Sequence, residues 1–287
     1  MRKIFIAALL MVVLCGLSCG CVSATIKHEA PAATFTSWNE NVDVTAAAHM
    51  EPYSRPEYDG NVNYMAIMIQ SAARGDTDAL ESAVTARNAK IIDLHLGEQL
   101  LTVQEFLSNF EQYAGFSLDV DYTAELMDCC VAGDIEAGRA AEVCRNLKID
   151  ATGTDDKFVS FDDLYIVSKI ITNEAGCYWL PMEWKMAVGE VLLNRVASPE
   201  FPDTIEECVY QPGQYSGANS SWFQSRMPFE DCVEAAFRLL SGERVLNEPS
   251  AVFQSNGKQG SGVCLELYDQ TMGYTYICYS SHPELYE

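Results

Sequence analysis

Histidine is scarce in this chain of 287 residues: His28, His49, His95 and His282 are all there is, and only His282 lies in the second half. Zinc peptidases and amidases draw ligands chiefly from histidine, so the C-terminal half lacks the donors for one, and the sequence implies no metal and no cofactor. A Cys–His nucleophilic pair could be drawn only from Cys177 and His282, yet His282 stands five residues from the C-terminus with no motif around it. Basic residues are also few, 18 Lys and Arg against 41 Asp and Glu, for a formal charge of −23. Phosphate binding needs Lys and Arg, which excludes nucleic acid as a partner. Electrostatic adhesion to anionic polymers is excluded for the same reason. After the first 24 residues no apolar run is long enough to insert stably in a membrane.

What is present begins with an export signal. Residues 1–24 open with Arg2 and Lys3, continue through an apolar IFIAALLMVVL and end in small residues, with Val22-Ser23-Ala24 in the spacing that signal peptidase reads. The expectation is cleavage after Ala24 and a secreted or envelope location for a mature chain of charge −25. Cys19 and Cys21 offer a lipoprotein alternative, although neither has a leucine three positions before it. Beyond the signal remain eight cysteines: Cys129, Cys130, Cys144, Cys177, Cys208, Cys232, Cys264 and Cys278. An even number in an exported chain permits a disulfide framework; small buried thiols are the other reading, and connectivity stays open.

A hydrophobic fraction of 48% can bury a sizeable core. Residues 25–60 are rich in Ala, Pro and Thr without period, which predicts a flexible tether. A duplication follows. YMAIMIQSAARGDTDALESAVTARNAKI (residues 64–91) aligns without gaps to YTAELMDCCVAGDIEAGRAAEVCRNLKI (residues 122–149), sharing Tyr, Gly-Asp and a terminal Arg-Asn-x-Lys-Ile. Each unit reads as a helix, a Gly stop, an Asp N-cap and a second helix. Between them Thr102 and Glu105 have capping-box spacing. Residues 61–150 therefore predict an all-α domain built from a repeated hairpin, with Asp76, Asp134, Arg87 and Arg145 as helix-end residues and a protein-docking role possible only by elimination. Residues 151–161 predict a linker, and residues 162–287 a second domain, giving an α+β, mainly α chain.

The second domain opens with a helix capped by Asp162 or Asp163, whose apolar positions Leu164, Val167, Ile170 and Ile171 recur at spacings of three and four. Glu174 continues that stripe and Gly176 ends the helix. Partial burial and the negative end of the helix dipole both favour the neutral form of such a carboxyl, which suits proton donation to a glycosidic oxygen. An interhelical hydrogen bond or a solvated helix end is the alternative. Pro181 suits the first turn of the next helix, MEWKMAVGEVLLNRV, with Trp184, Ala187, Val188, Val191 and Leu192 inward. Glu183 is expected to face water, and Glu190, off the apolar stripe, to be solvated or to support the site from behind.

The order NEAG, AVGEVLLNRV, Ser-Pro-x-Phe-Pro-Asp-Thr-Ile, YQPGQYS, then a helix ending Leu-Leu-Ser-Gly, resembles the SleB-type cell wall hydrolases, the spore-cortex-lytic enzymes, over about residues 162–280. The resemblance implies a lysozyme-like, mostly helical domain cleaving peptidoglycan glycan strands, with Glu174 as catalytic acid. It also implies that Gln211, Gln214, Tyr215, Ser216, Asn194, Phe253 and Gln254 line the saccharide cleft. Cys177 departs from the family pattern, and the tail GVCLELYDQTMGYTYICYS matches it only loosely. Hydrolases commonly pair two carboxylates, whereas a lytic transglycosylase closes a 1,6-anhydro ring with one, so the latter is the expectation. Amidase, hydrolytic muramidase or glucosaminidase, and inactive peptidoglycan-binding protein remain open alternatives. Vegetative wall and spore cortex are not distinguished as substrates, nor is the oligomeric state set.

Overall fold

The computed structural model describes residues 56–215 and 217–286. The segments read as a signal peptide and, for the most part, as a 25–60 tether lie outside the described residues. Two compact units divide between Gly115 and Phe116, upstream of the 151–161 segment read as a linker. Hairpin one therefore belongs to the first unit and hairpin two to the second, and the reason is packing: the second hairpin shares its core with the helices that follow it.

In the first unit, α1 (Tyr64–Arg74) is capped by Asn63 and ended by Gly75 at φ 70°, a left-handed conformation that only glycine adopts freely. Asp76 then accepts from Ala79 N at 2.9 Å to start α2 (Thr77–Asp93). Arg87 and Asn88, from the repeated Arg-Asn-x-Lys-Ile, hold the chain that leaves α2: the Arg87 guanidinium donates to Gln99 O, and the Asn88 amide exchanges two bonds with the Leu101 backbone. A full capping box of Thr102 and Glu105 starts α3 (Val103–Ser108), which is followed by α4 (Phe110–Ala114). Phe106 is fully buried against the rings of Phe110 and Tyr113.

The second unit repeats this plan at a constant offset of 58 residues (Tyr64 to Tyr122, Thr102 to Ser160). Helix α5 (Tyr122–Ala132) ends at Gly133, Asp134 caps α6 (Ile135–Thr152), and the Arg145 guanidinium donates to Lys157 O. Tyr122 OH accepts from Ser117 N as Tyr64 OH accepts from Asp59 N, each at 2.7 Å. The third element of the second copy is α7 (Phe161–Ala175), capped by Ser160 rather than by Asp162 or Asp163. Ser160 has the extended backbone that a cap needs, while the two aspartates fall inside the first turn, where they complement the helix dipole. The duplication thus reaches beyond the hairpin into the helix that carries Glu174.

Helix α8 (Met182–Val196) is the axis of the second unit, packed by α7, α9 (Ile205–Tyr210), α11 (Glu230–Leu240) and β1 (Ala251–Ser255). Pro181 occupies its cap position rather than its first turn. The inward residues Trp184, Ala187, Val188, Val191 and Leu192 are all buried, as are Leu164, Val167, Ile170 and Ile171 of α7. Three helices approach at Gly189, where a Cβ would lie 2.6 Å from Leu239 Cδ1 and 2.7 Å from Ile171 Cδ1. Short α10 (Ser221–Ser225) is tied to α7 by Lys169, whose ammonium donates to Gln224 O and sits over the rings of Tyr165 and Phe223. An antiparallel sheet of order β1-β3-β2, with β2 at Val263–Asp269 and β3 at Gly273–Tyr279, lays Ile277, Leu265 and Leu267 on Ala187 and Val191 of α8. The fold is α+β and mainly α. None of the eight cysteines among the described residues forms a disulfide, and burial pushes Cys130 up to about 12 and Cys144 and Cys232 up to about 11.

Candidate functional site

Glu174 occupies the last turn of α7, half-buried, its Oε1 accepting from Asn173 Nδ2 at 2.6 Å. Gly176 follows at the helix end, and the chain turns through Cys177, Tyr178, Trp179 and Leu180 before α8 begins. That turn is held from below by Lys185, only 1% exposed, whose ammonium donates to Cys177 O at 3.1 Å and pairs with Asp231 at 2.6 Å. Residues 176–179 and Phe229, Glu230, Asp231 and Glu234 of α11 and its approach line a cleft of about 680 Å³. Thr172 Oγ1 accepts from Phe229 N at 3.1 Å, fixing the mouth of this cleft to α7.

The YQPGQYS segment has a local explanation. Gln214 N donates to Gln211 O at 3.2 Å across Pro212 and Gly213, and Gly213 has φ 86°. That is a type II turn with Pro and Gly at the two positions that demand them. It places Tyr215 inward, with its ring 5.1 Å from the Arg195 guanidinium, which also lies over Phe201 at 5.4 Å. Arg195 is itself buried and donates from Nε to Val252 O at 2.6 Å. Phe201 in turn meets Phe253 edge-on at 6.4 Å. Tyr215 and Phe253 thus belong to one set of residues, connected through Arg195 and Phe201.

Burial pushes the Tyr215 hydroxyl up to about 12; the nearby Arg195 charge opposes that shift and the Glu174 charge adds to it. The hydroxyl is a permanent donor at any physiological pH, yet it is buried with no hydrogen-bond partner. Gln211 Oε1 and Gln254 Oε1 are likewise buried and unpartnered. Orphaned polar atoms cost stability; Asn146 Oδ1 and Ser241 Oγ, outside this set, are two more. Three of the residues assigned by resemblance to a saccharide cleft fall in this class.

The remaining assignments are placed as follows. Gln214 is half-buried at the end of the turn. Asn194 is buried and its Nδ2 donates to Glu248 O and Ala251 O, so the side chain ties α8 to the approach of β1. Ser216 lies outside the described residues. Glu183 faces solvent, as expected. Glu190 corrects the solvated alternative: it is 1% exposed, and its carboxylate accepts from Val245 N, Leu246 N and Asn247 N at 2.6 to 3.1 Å. Helical spacing placed it off the apolar stripe, but from Trp184 to Leu192 α8 is buried on every side and the loop after α11 supplies its donors. Cys177 Sγ lies 3.7 Å from Met272 Sδ, while exposed His282 pairs with Glu284. Spacing arguments missed Arg195, Tyr178, Trp179 and Phe229. The Cys-Tyr-Trp run after Glu174 was an available signal for two of them, and nothing local signals that Arg195 is a buried platform.

Among the described residues, no group of three or more His, Cys, Asp or Glu side chains is arranged to hold a metal ion. None of their helices is long and apolar enough to cross a membrane. Residues 181–263 match the model of a family described as Cell Wall Hydrolase. The matched span starts at the cap of α8 and stops at the first residue of β2, so Glu174 stands just before it and β3 just after it. No curated protein and no solved structure matches the chain. The match supports a peptidoglycan-cleaving enzyme that acts in the envelope. The second unit carries a cell wall hydrolase family domain.

Proposed function

We propose that this protein is an exported lytic transglycosylase with a lysozyme-like catalytic domain, which cuts peptidoglycan glycan strands with Glu174 as the single acid and base. One observation carries the reading: the half-buried carboxylate of Glu174 closes α7 directly before the span, residues 181–263, that matches the Cell Wall Hydrolase family. A protonated Glu174 donates to the glycosidic oxygen as the bond to the anomeric carbon breaks. The acetamido group of the muramic residue then stabilises the positive charge. Glu174, now a carboxylate, takes the proton from the C6 hydroxyl as its oxygen closes on the anomeric carbon, and a 1,6-anhydro ring forms. The proton count is restored without a water molecule.

Neither carboxylate of α8 is placed to act beside Glu174; Glu230, Asp231 and Glu234 of α11, which line the cleft, are where a second group would be sought. Glu183 projects into solvent, and Glu190 is occupied by three backbone donors. Tyr215, Gln211 and Gln254 hold the sugars through hydrogen bonds, Gln214 extends that set, and Phe253 supplies an apolar edge. Neutral sugars bind by such contacts regardless of the chain's net negative charge. The test is mass spectrometry of fragments released from purified peptidoglycan by the mature protein beside Glu174→Gln. Products lighter than reducing muropeptides by one water, absent with the variant, are expected. Reducing ends would indicate hydrolysis and a second carboxylate, and free stem peptides would overturn the glycan-cleaving reading.

A further inference from the structure

The cleft accounts for one aromatic group on the second unit and leaves another unexplained. The register of the sheet sorts its residues into two faces. Ile277, Leu265 and Leu267 point at α8, whereas Tyr276 and Tyr274, each one residue out of phase with Ile277 on β3, point away from it. Tyr268 is the direct cross-strand partner of Tyr274. The three rings form a continuous row: Tyr268 and Tyr274 are 4.8 Å apart between centroids, and Tyr274 and Tyr276 are 5.7 Å apart and nearly parallel. Tyr268 is 62% exposed and Tyr274 47%. At the far end the Lys258 ammonium sits 5.2 Å from the Tyr276 ring, and Glu266 is the cross-strand neighbour of Tyr276.

The near end of the row reaches the cleft. Asp269 closes the β2–β3 turn by accepting from Thr271 N and Met272 N, and the Trp179 indole also donates to it. Met272 touches Cys177. Trp179 and Cys177 belong to the turn that follows Glu174 and lines the 680 Å³ cleft. A ligand lying on the tyrosines therefore meets Trp179 and then Tyr178, which is 87% exposed. Exposed tyrosines present a flat apolar face with a polar tip, and a contiguous exposed patch of them marks an interaction site; its continuity with the turn that follows Glu174 makes the strand cut there the occupant that fits.

We propose that the outer face of the sheet is a glycan track outside the catalytic cleft, on which a peptidoglycan strand stacks against Tyr276, Tyr274 and Tyr268 and offers a stem-peptide carboxylate to Lys258. The proposal rests on the reading of the cleft as glycan-cleaving. It makes the enzyme one that engages polymeric strands more tightly than short ones, because only a long strand spans both track and cleft.

The test compares the mature protein with a Tyr268→Ala/Tyr274→Ala double variant and with Lys258→Glu. Co-sedimentation with insoluble sacculi and cleavage of a soluble glycan tetrasaccharide are measured in parallel, with thermal melting as the folding control. The double variant is expected to bind sacculi roughly tenfold more weakly, to cleave the tetrasaccharide within about twofold of wild type, and to melt as wild type does. Lys258→Glu is expected to lose binding to intact sacculi but not to glycan strands stripped of their peptides. Unchanged sedimentation of the double variant would overturn the track, as would equal losses on both substrates or a lowered melting temperature. If the tyrosines instead govern self-association, seen as a shift in molar mass without a change in sedimentation, the face is a dimer contact and the proposal falls. A wild type that cleaves neither substrate but sediments in a tyrosine-dependent manner would keep the track and remove the transglycosylase reading.

Discussion

Replacing Glu174 by Gln keeps the side chain's shape and removes its titratable proton. Cleavage is expected to drop by about two to four orders of magnitude, while sacculus sedimentation is retained; loss of both together would make the residue structural. Tyr215→Phe separates function from stability in the opposite way. The hydroxyl is buried without a partner, so its removal is expected to leave the melting temperature unchanged or raise stability by about 1 kcal/mol, yet to slow cleavage at least about tenfold. A destabilised Phe variant would show that the hydroxyl has a structural partner after all. The half-buried place of Glu174 in the last turn of α7 was legible in the sequence because it depends only on helical spacing from Ile170 and Ile171; its role as acid rests on the family resemblance. The orphaned state of Tyr215, Gln211 and Gln254 was not, because it depends on what surrounds each atom in three dimensions.

Helix α8 shows where reading by element succeeds and where it stops. Its boundaries and its inward residues follow from apolar periodicity, but periodicity assumes one wet face, and beyond Glu183 this helix has none. Glu190 was misread on that assumption. Its carboxylate organises the backbone of residues 245–247, so Glu190→Gln, which turns one acceptor oxygen into a donor facing N–H groups, is expected to cost about 2–4 kcal/mol. Chemical denaturation would register this; a shift below 1 kcal/mol would mean that the loop keeps its shape unaided. Gly189→Ala forces a methyl against Leu239 and Ile171 and is expected to cost about 1–3 kcal/mol. Both losses should come without a change in the products formed by the folded fraction. The capping box at Thr102 and the Gly-Asp junctions were legible because their hydrogen bonds are local. The cap of α7 was misassigned because three residues within four positions, Ser160, Asp162 and Asp163, all suit a helix start.

At the scale of the whole molecule, the buried thiols set an alkaline limit. Cys130, Cys144 and Cys232 are held neutral by burial, with folded values of about 11 to 12 against an ordinary 9. The folded state then keeps protons that the unfolded state releases, so their contribution to stability is fully present below about pH 9 and is lost as pH rises toward those folded values. Melting temperature is expected to be flat from pH 7 to about 8.5 and to fall progressively by pH 10.5. A flat profile across that range would contradict the buried, neutral state of the thiols. The family match starts at Pro181, yet α7 is completed by the hairpin of α5 and α6, whose Leu126, Cys130 and Ala141 share its core. A fragment beginning at residue 162 is accordingly expected to be insoluble or unfolded, while one beginning at Phe116 folds, as circular dichroism of the two would show. That dependence was hidden in the sequence by the low-apolarity stretch 151–160, which reads as a boundary but contains Val159, buried in the same core.

The shared third helix has a consequence for inherited change. Ser160 fixes where α7 begins, and Glu174 lies fourteen residues later, so the direction in which its carboxylate points is an angular phase counted from that start. One residue inserted or deleted within the helix turns Glu174 by about 100° about the axis, away from its present surroundings, whereas a seven-residue change, close to two full turns, nearly restores it. Lineages carrying this domain should therefore tolerate insertions freely between the two 58-residue copies and scarcely at all between Ser160 and Glu174.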